Sequence, residues 1–248
     1  MDKQIGKISI IMPAYNEEEH IYENILETRS VFEESGVSYE IIVSNDGSKD
    51  KTFEIAKKAA AEFSNVYAVQ NPMNLGKGQA LREGFTKVSG DYVVFLDSDL
   101  DLHPKQVNLL FEILEREKVD VVIGSKRHPQ SKVMYPSDRK IISAGYFFLV
   151  KLMFGLPIRD TQTGLKLFKV KVLQDVFPRI LVKRFAFDLE LLAVAYHLGY
   201  RIAEAPVVVT HRWKFGRIGF RPIFETWWDT MAVFYRMRIL KYYDKGQE

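Results

Sequence analysis

Asp97-Ser98-Asp99-Leu100-Asp101 sets three carboxylates at alternate positions just past an apolar run. In an extended segment, side chains at i, i+2 and i+4 share one side. Carboxylates held that close repel one another unless a cation neutralises them. Such hard oxygen donors suit Mg²⁺ or Mn²⁺ rather than Zn²⁺. An ion there would bridge the protein to a diphosphate and stabilise charge growing on a leaving group. The same string also reads as an acidic turn capping a helix at Pro104. It is no calcium hand, because the required glycine and distal glutamate are misplaced.

Other polar clusters invite a chemical reading. Asn45-Asp46-Gly47-Ser48 offers Asp46 as an acceptor for a nucleobase N–H, or is only a capped turn. In Asn74-Leu75-Gly76-Lys77-Gly78 the glycines permit close backbone approach, and Lys77 can reach a nucleotide phosphate. The alternative is a helix-entry loop with a solvated lysine. The G-x-x-x-x-G-K-[ST] spacing is absent, which rules out a P-loop ATPase.

Ser125-Lys126-Arg127, followed by Arg139 and Lys140, is basic, and Arg139 suits bidentate pairing with an acceptor phosphate. For Lys132 and Lys140 a solvated charged face reads equally well. Asp160-Thr161-Gln162-Thr163-Gly164 is a polar loop between apolar segments. Asp188 and Glu190 interrupt an apolar stretch, where carboxylates are costly unless paired, liganded or capping a helix.

The elements that must position these groups follow from periodicity. Short apolar runs at 8–12, 39–44, 66–70, 91–96 and 119–123 read as strands. Helices are expected between them. The first starts at Asn16, with Glu19 as capping-box partner, and ends at Gly36. Five strand–helix alternations in about 125 residues argue a mostly parallel sheet with helices on both faces. Ligands bind such sheets beyond the carboxyl ends of the strands. The clusters at 16–17, 45–47, 71–78, 97–101 and 125–127 each follow a strand, so they should meet at one rim.

Farther along, a short strand is expected within 163–168, a helix over 187–198, one or two strands in 201–210, and a long aromatic-rich helix over 222–243. Residues 1–220 read as one catalytic domain and 221–248 as an amphipathic helix and tail.

Composition limits the rest. In 248 residues, 47% hydrophobic and 27% charged, the chain is globular. With no cysteine, disulfides and thiolate chemistry are excluded. Net charge is +3, but residues 126–151 carry six Lys or Arg against Asp138 alone. That imbalance suggests an anionic partner. A nucleic-acid module is the non-enzymatic alternative, and the acidic rim argues against it, because it would repel phosphate without a metal. The residues from Met1 to Lys7 do not read as a signal peptide, and no apolar run is long enough for an ordinary span.

Taken together, Pro13-Ala14-Tyr15-Asn16-Glu17, Asp46-Gly47-Ser48, Asn74 to Gly78, Asp97-Ser98-Asp99, Gly124-Ser125-Lys126, Asp160 to Phe168 and Phe185 to Leu192 resemble the family 2 glycosyltransferases with the GT-A fold. The likeness covers residues 8–212 and is nearest the polyprenyl-phosphate sugar synthases. Of these, the last two strings look more like the dolichyl-phosphate glucosyl branch than the mannosyl branch. The resemblance implies a Rossmann-like GT-A sheet and inverting transfer of a hexose from a nucleotide diphosphate sugar to dolichyl or polyprenyl phosphate. UDP-glucose is the implied donor. GDP-mannose, or a polysaccharide or small-molecule hydroxyl as acceptor, is the alternative.

By the same resemblance Pro13, Tyr15, Glu17, Asp46, Lys77, Asp97 and Ser98 would bind the nucleotide sugar, and Asp99 with Asp101 would hold Mg²⁺ or Mn²⁺. Asp101 stands where the mannosyl branch has a glutamine. Lys126, Arg139, Ser143 and Arg212 would meet the acceptor phosphate, although Lys126 replaces an arginine and forfeits bidentate geometry. Gln162, Thr163 and Glu190 would flank the sugar, and Asp188 would complete the catalytic set with Asp97, Asp99, Lys126 and Arg139. The string Arg212 to Arg217 departs from the family's basic-Gly-Ser-Lys pattern.

A phosphate oxygen is already ionised near neutral pH, so such an acceptor needs no strong base. A polyprenyl acceptor also implies peripheral attachment at the cytoplasmic face of the membrane. The segment 141–156 and the aromatic-basic segment 222–243 suit a headgroup region. Core packing or a homodimer interface is the alternative for the former.

Overall fold

The computed structural model describes residues 6–133, 137–184, 186–210 and 220–244. Strand β1 (Ile8–Ala14) is followed by α1 (Ile21–Ser35), β2 (Tyr39–Asn45), α2 (Thr52–Glu62), β3 (Val66–Gln70), α3 (Lys77–Phe85) and β4 (Tyr92–Phe95). A 3₁₀ turn, Pro104–Gln106, opens α4 (Val107–Glu117), and β5 (Val121–Ser125) and α5 (Ser137–Phe154) follow. Then come β6 (Lys166–Lys169), α6 (Val170–Val176), α7 (Phe187–His197), β7 (Ile202–Pro206) and α8 (Phe220–Phe234).

The seven strands form one sheet in the order β3-β2-β1-β4-β6-β5-β7. All pairs are parallel except those of β6, which lies antiparallel between β4 and β5. This is the mostly parallel, helix-covered sheet that the strand–helix alternation predicts, and it agrees with the GT-A fold that the resemblance implies. Ile11, Ile42 and Phe95 enter one apolar layer and Ile10, Ile41 and Val94 the other, so the central strands are buried on both faces.

Several elements differ from expectation. Helix α1 starts at Ile21 and has no side-chain cap, so Asn16 and Glu19 form no capping box. Gly36 does end it, in the left-handed region at φ 67°. Strand β6 begins at Lys166 rather than 163, and α6 had no sequence signal of its own. The expected helix over 222–243 breaks at Phe234 into a π-helical turn, Tyr235–Ile239, and a 3₁₀ turn, Tyr242–Asp244. The break turns Arg236 and Tyr243 toward the buried Glu190. Among the described residues no helix is long and apolar enough to cross a membrane.

Candidate active site

The loops after β1 and β2 are laced together. Asn16, at φ 56°, donates its N–H to Ser48 Oγ at 2.9 Å and accepts from Lys49 N at 2.9 Å. Glu17 N donates to Thr52 Oγ1 at 2.7 Å. Asn16 therefore fixes the rim instead of capping α1. Pro13 stands opposite Ser44 near the end of β1, and Tyr15 is exposed at the rim just beyond it.

Asp46 is buried and clasps the next loop. Its Oδ1 accepts from Asn71 Nδ2 at 2.8 Å and Leu75 N at 3.0 Å, and its Oδ2 accepts from Gly76 N at 2.8 Å. The loop passes so close that a Cβ on Gly47 would lie 2.3 Å from the Met73 carbonyl carbon. A charged acceptor spent on backbone N–H groups holds a glycine-rich turn in one shape. That turn delivers Lys77 at the head of α3.

Lys77 Nζ lies 2.5 Å from Asp97 Oδ1, and the two side chains keep 33% and 39% of their surface open. Burial alone would raise the Asp97 carboxyl, but Lys77, Lys166 and Lys126 together hold it below the usual range. Burial would also lower the Lys77 ammonium, but Asp97, Asp188 and Asp99 outweigh it and push it up. Among the described residues two neighbours, Asp99 and Glu17, form no such ion pair, and Lys77 only partly offsets the rise of Asp99. Asp99 is pushed up to about 6 by burial and by the charges of Asp97 and Asp101. Glu17 rises to about 7 through burial and through Asp99, Asp50 and Asp97.

Residues 97–101 do not form the extended strand that would align three carboxylates. Leu100 N donates to the Asp97 carbonyl at 3.2 Å, and Leu100 adopts φ 50° with its side chain fully buried. The core anchors Leu100, so the segment must turn. Asp101 N then donates to Asp99 Oδ1 at 3.1 Å. Ser98 is buried, and its carbonyl accepts from Asn24 Nδ2 at 2.7 Å. Among the described residues no three His, Asp or Glu side chains converge on a metal-sized point. The donor set nonetheless fits a hard divalent cation. Such ions are commonly held by one or two carboxylates and completed by substrate phosphates, and the raised Asp99 and Glu17 carboxyls mark a place where negative charge outweighs what the Lys77 ammonium supplies.

The loop at 160–164 is organised by Asp160. It accepts from Lys126 N at 3.0 Å, Thr163 Oγ1 at 2.7 Å and Gln162 N at 3.0 Å. Gln162 is exposed, whereas Thr163 is buried and its hydroxyl is spent on Asp160. A Cβ on Gly164 would lie 1.9 Å from Asp97 Oδ2, so only glycine lets this loop back against that carboxylate. Beyond it, Lys166 Nζ reaches Asp188 Oδ1 at 2.6 Å, with Asp188 in the first turn of α7.

Glu190 is not beside this cluster as a sugar contact. It is fully buried and accepts from Leu181 N at 2.9 Å, Val182 N at 2.7 Å and Arg236 Nη2 at 2.9 Å, and from the Tyr243 hydroxyl. With all these bonds made, it joins α7 to the C-terminal turns. Arg139 and Ser143 fall within α5, and Arg212 lies outside the described residues. Sequence reading missed Asn71, the part of Asp160 in ordering its loop, and Lys166. Only Lys166 left a signal, as a charge inside the apolar run Leu165 to Phe168.

Residues 9–177 match the model of glycosyl transferase family 2, and the chain belongs to that family. A dolichyl-phosphate beta-glucosyltransferase of Trichomonas vaginalis is 35% identical over 213 residues, 81% of this chain and 64% of that protein. Its counterpart in Dictyostelium discoideum is 30% identical over 213 residues, 81% of this chain and 65% of that protein. The chain thus spans a little under two thirds of the length of these relatives. In structure it is similar to glucosyl-3-phosphoglycerate synthase of Mycobacterium tuberculosis, with TM-score 0.69 and 21% identity over 98% of this chain and 82% of that one. That enzyme has been solved with Mn²⁺, UDP-glucose and phosphoglyceric acid.

Proposed function

We propose that this chain transfers a hexose, with inversion, from a nucleotide diphosphate sugar to an acceptor that carries a phosphate group. The observation that carries this reading is the Lys77–Asp97 pair set beside two further carboxyls, Asp99 and Glu17, whose ionisation is disfavoured by burial and by neighbouring negative charge. A rim with that imbalance is built to receive a cation and a polyanion together. UDP-glucose is the donor best supported, since relatives from two directions carry glucosyl transfer in their names.

Asp99 and Asp101 would hold Mg²⁺ or Mn²⁺, which when bound neutralises diphosphate charge. Lys77 offers its ammonium to the same phosphates. Asp46 keeps the Lys77 turn in shape. Pro13, Tyr15 and Glu17 border the nucleotide, and Asp97 meets the ribose or sugar. Gln162 flanks the sugar and Asp188 positions hydroxyls. Lys126, Arg139, Ser143 and Arg212 are the proposed contacts of the acceptor phosphate.

Two acceptors meet this description. A small phosphorylated alcohol is supported by the architecture shared with the phosphoglycerate enzyme across 98% of this chain. Its hydroxyl must lose a proton, and Asp188 is the carboxylate at hand. Polyprenyl phosphate is supported by the sequence relatives and by one surface feature. Phe148 and Leu152 of α5 and Phe224, Trp227 and Trp228 of α8 are exposed on two helices that pack together. Aromatic rings on two helices, one of which carries Lys151 over the Phe147 ring, suit a headgroup layer, which would place the protein peripherally at the cytoplasmic face of a membrane.

A transfer assay with labelled UDP-glucose or GDP-mannose against phosphoglycerate, polyprenyl phosphate and a neutral oligosaccharide tests the proposal. Product with either phosphate-bearing acceptor is expected. Transfer to the neutral sugar alone would overturn it. Co-sedimentation with anionic vesicles separates the two acceptors.

A further inference from the structure

Among the described residues Lys166 is the only lysine or arginine that is fully buried, with 1% exposure. It sits on β6 with Phe95 of β4 and Ile123 of β5 as its partners in register, and Leu165 and Leu167 flank it. An apolar residue would suit that place. The ammonium instead donates to the Thr163 carbonyl and to Asp188 Oδ1 at 2.6 Å.

Stability does not account for this pair. Desolvating two charges offsets their attraction, and well-packed apolar replacements of a buried pair are often neutral or stabilising. Nor can Lys166 touch substrate itself, since its ammonium is enclosed and already committed. Asp188 differs, because its Oδ1 is taken while no hydrogen bond to its Oδ2 is seen among the described residues. The carboxylate is thus gripped by one oxygen only.

We infer that Lys166 is a positioning residue for Asp188, fixing the carboxylate plane through Oδ1 and leaving Oδ2 to engage a hydroxyl of the bound sugar or acceptor. This rests on the reading of Asp188 given above. Burial, the largest influence, pulls the Lys166 ammonium down, and Asp188 opposes it, as expected of a cation retained for its partner. A displacement of about 1 Å at such a group can cost roughly 100-fold in rate.

Two measurements on the full chain test the inference. The first is the crystal structure of Lys166→Met. Asp188 should leave its present position or split between rotamers while the sheet is unchanged. An unmoved, single-rotamer Asp188 overturns the inference whatever the enzyme's substrate. Should Lys166→Met not fold, Lys166→Gln, which keeps a polar donor but removes the charge and shortens the side chain, takes its place with the same readout.

The second is a double-mutant cycle on UDP release from UDP-glucose, with water or the best acceptor. Lys166→Met should lower kcat about 100-fold and move KM less than about threefold. Lys166→Arg should restore at least about tenfold of that loss. On an Asp188→Asn background, Lys166→Met should add less than about threefold, since it acts through the group already removed. Losses that multiply, or an undiminished kcat in Lys166→Met, overturn the inference. Wild-type kcat in Asp188→Asn would instead strike the proposed role of Asp188, and the crystal structure would still judge the positioning.

Discussion

The Lys77 ammonium rests 2.5 Å from the Asp97 carboxylate, and so ties the head of α3 to the turn that follows β4. Two of the five rim loops are locked by this one contact. On the proposed reading, a diphosphate entering there would meet a cation already oriented, with Asp97 as its placeholder.

Replacing that cation should therefore strike donor binding. A hydrogen bond to a charged group contributes about 1.5–3 kcal/mol, so Lys77→Met should weaken UDP affinity by roughly 10- to 100-fold. Calorimetric titration with UDP measures it. Unchanged affinity would remove Lys77 from the donor site.

The raised carboxyls give a pH signature. Asp99 and Glu17 are raised to about 6 and about 7, so the folded chain holds their protons more tightly than the unfolded chain does. The contribution of these two groups to stability of the ligand-free protein should thus be greatest below the unfolded carboxyl range of about 4 and fall as pH rises toward 7, opposite in sign to that of carboxyls held low, such as Asp97 and Glu40. Melting temperature against pH reads this slope. Glu17→Gln should flatten it, and added Mn²⁺ should flatten it too.

Gly164 tests the packing of the polar loop on the acidic turn. A methyl group there would meet Asp97 Oδ2 at 1.9 Å, so Gly164→Ala must displace one or the other. We expect kcat/KM to fall about 100-fold with circular dichroism unchanged. Wild-type kinetics would mean that the packing of this loop on Asp97 does not matter to turnover.

Glu190 should behave as a fold residue. Glu190→Ala leaves Arg236 without its carboxylate and two backbone N–H groups without an acceptor. Breaking a buried pair in this way costs about 3–5 kcal/mol, which corresponds to a fall in Tm of roughly 10 °C. Differential scanning calorimetry measures it, and turnover below the transition should change little.

These residues also mark how far the sequence could be read. The parallel half was legible because β1 to β5 are apolar runs broken by polar turns, and a parallel sheet puts the following loops at one rim. That Lys77, Asp97 and Asp99 meet at that rim was legible for the same reason. The turn at Asp97–Asp101 stood only as the alternative, a cap for the helix at Pro104, because its cause, the burial of Leu100, is a long-range fact, and the cap itself is His103. Asn16 was misassigned because the capping-box pattern is local, while its real partners, Ser48 and Lys49, lie 32 and 33 residues away. Glu190 looked like a site residue because a carboxylate in an apolar helix is costly. Its partners, Arg236 and Tyr243, are 46 and 53 residues distant.

The central claim is that a divalent cation at Asp99 and Asp101 is completed by the donor's phosphates. Electron paramagnetic resonance of Mn²⁺ tests it directly, because the signal of the free aqueous ion falls when the ion is bound. With the chain alone the free signal should persist, with UDP added it should fall sharply, and Asp99→Asn should restore it. A free Mn²⁺ signal that UDP leaves unchanged in the wild-type chain, relative to UDP without protein, would contradict the account.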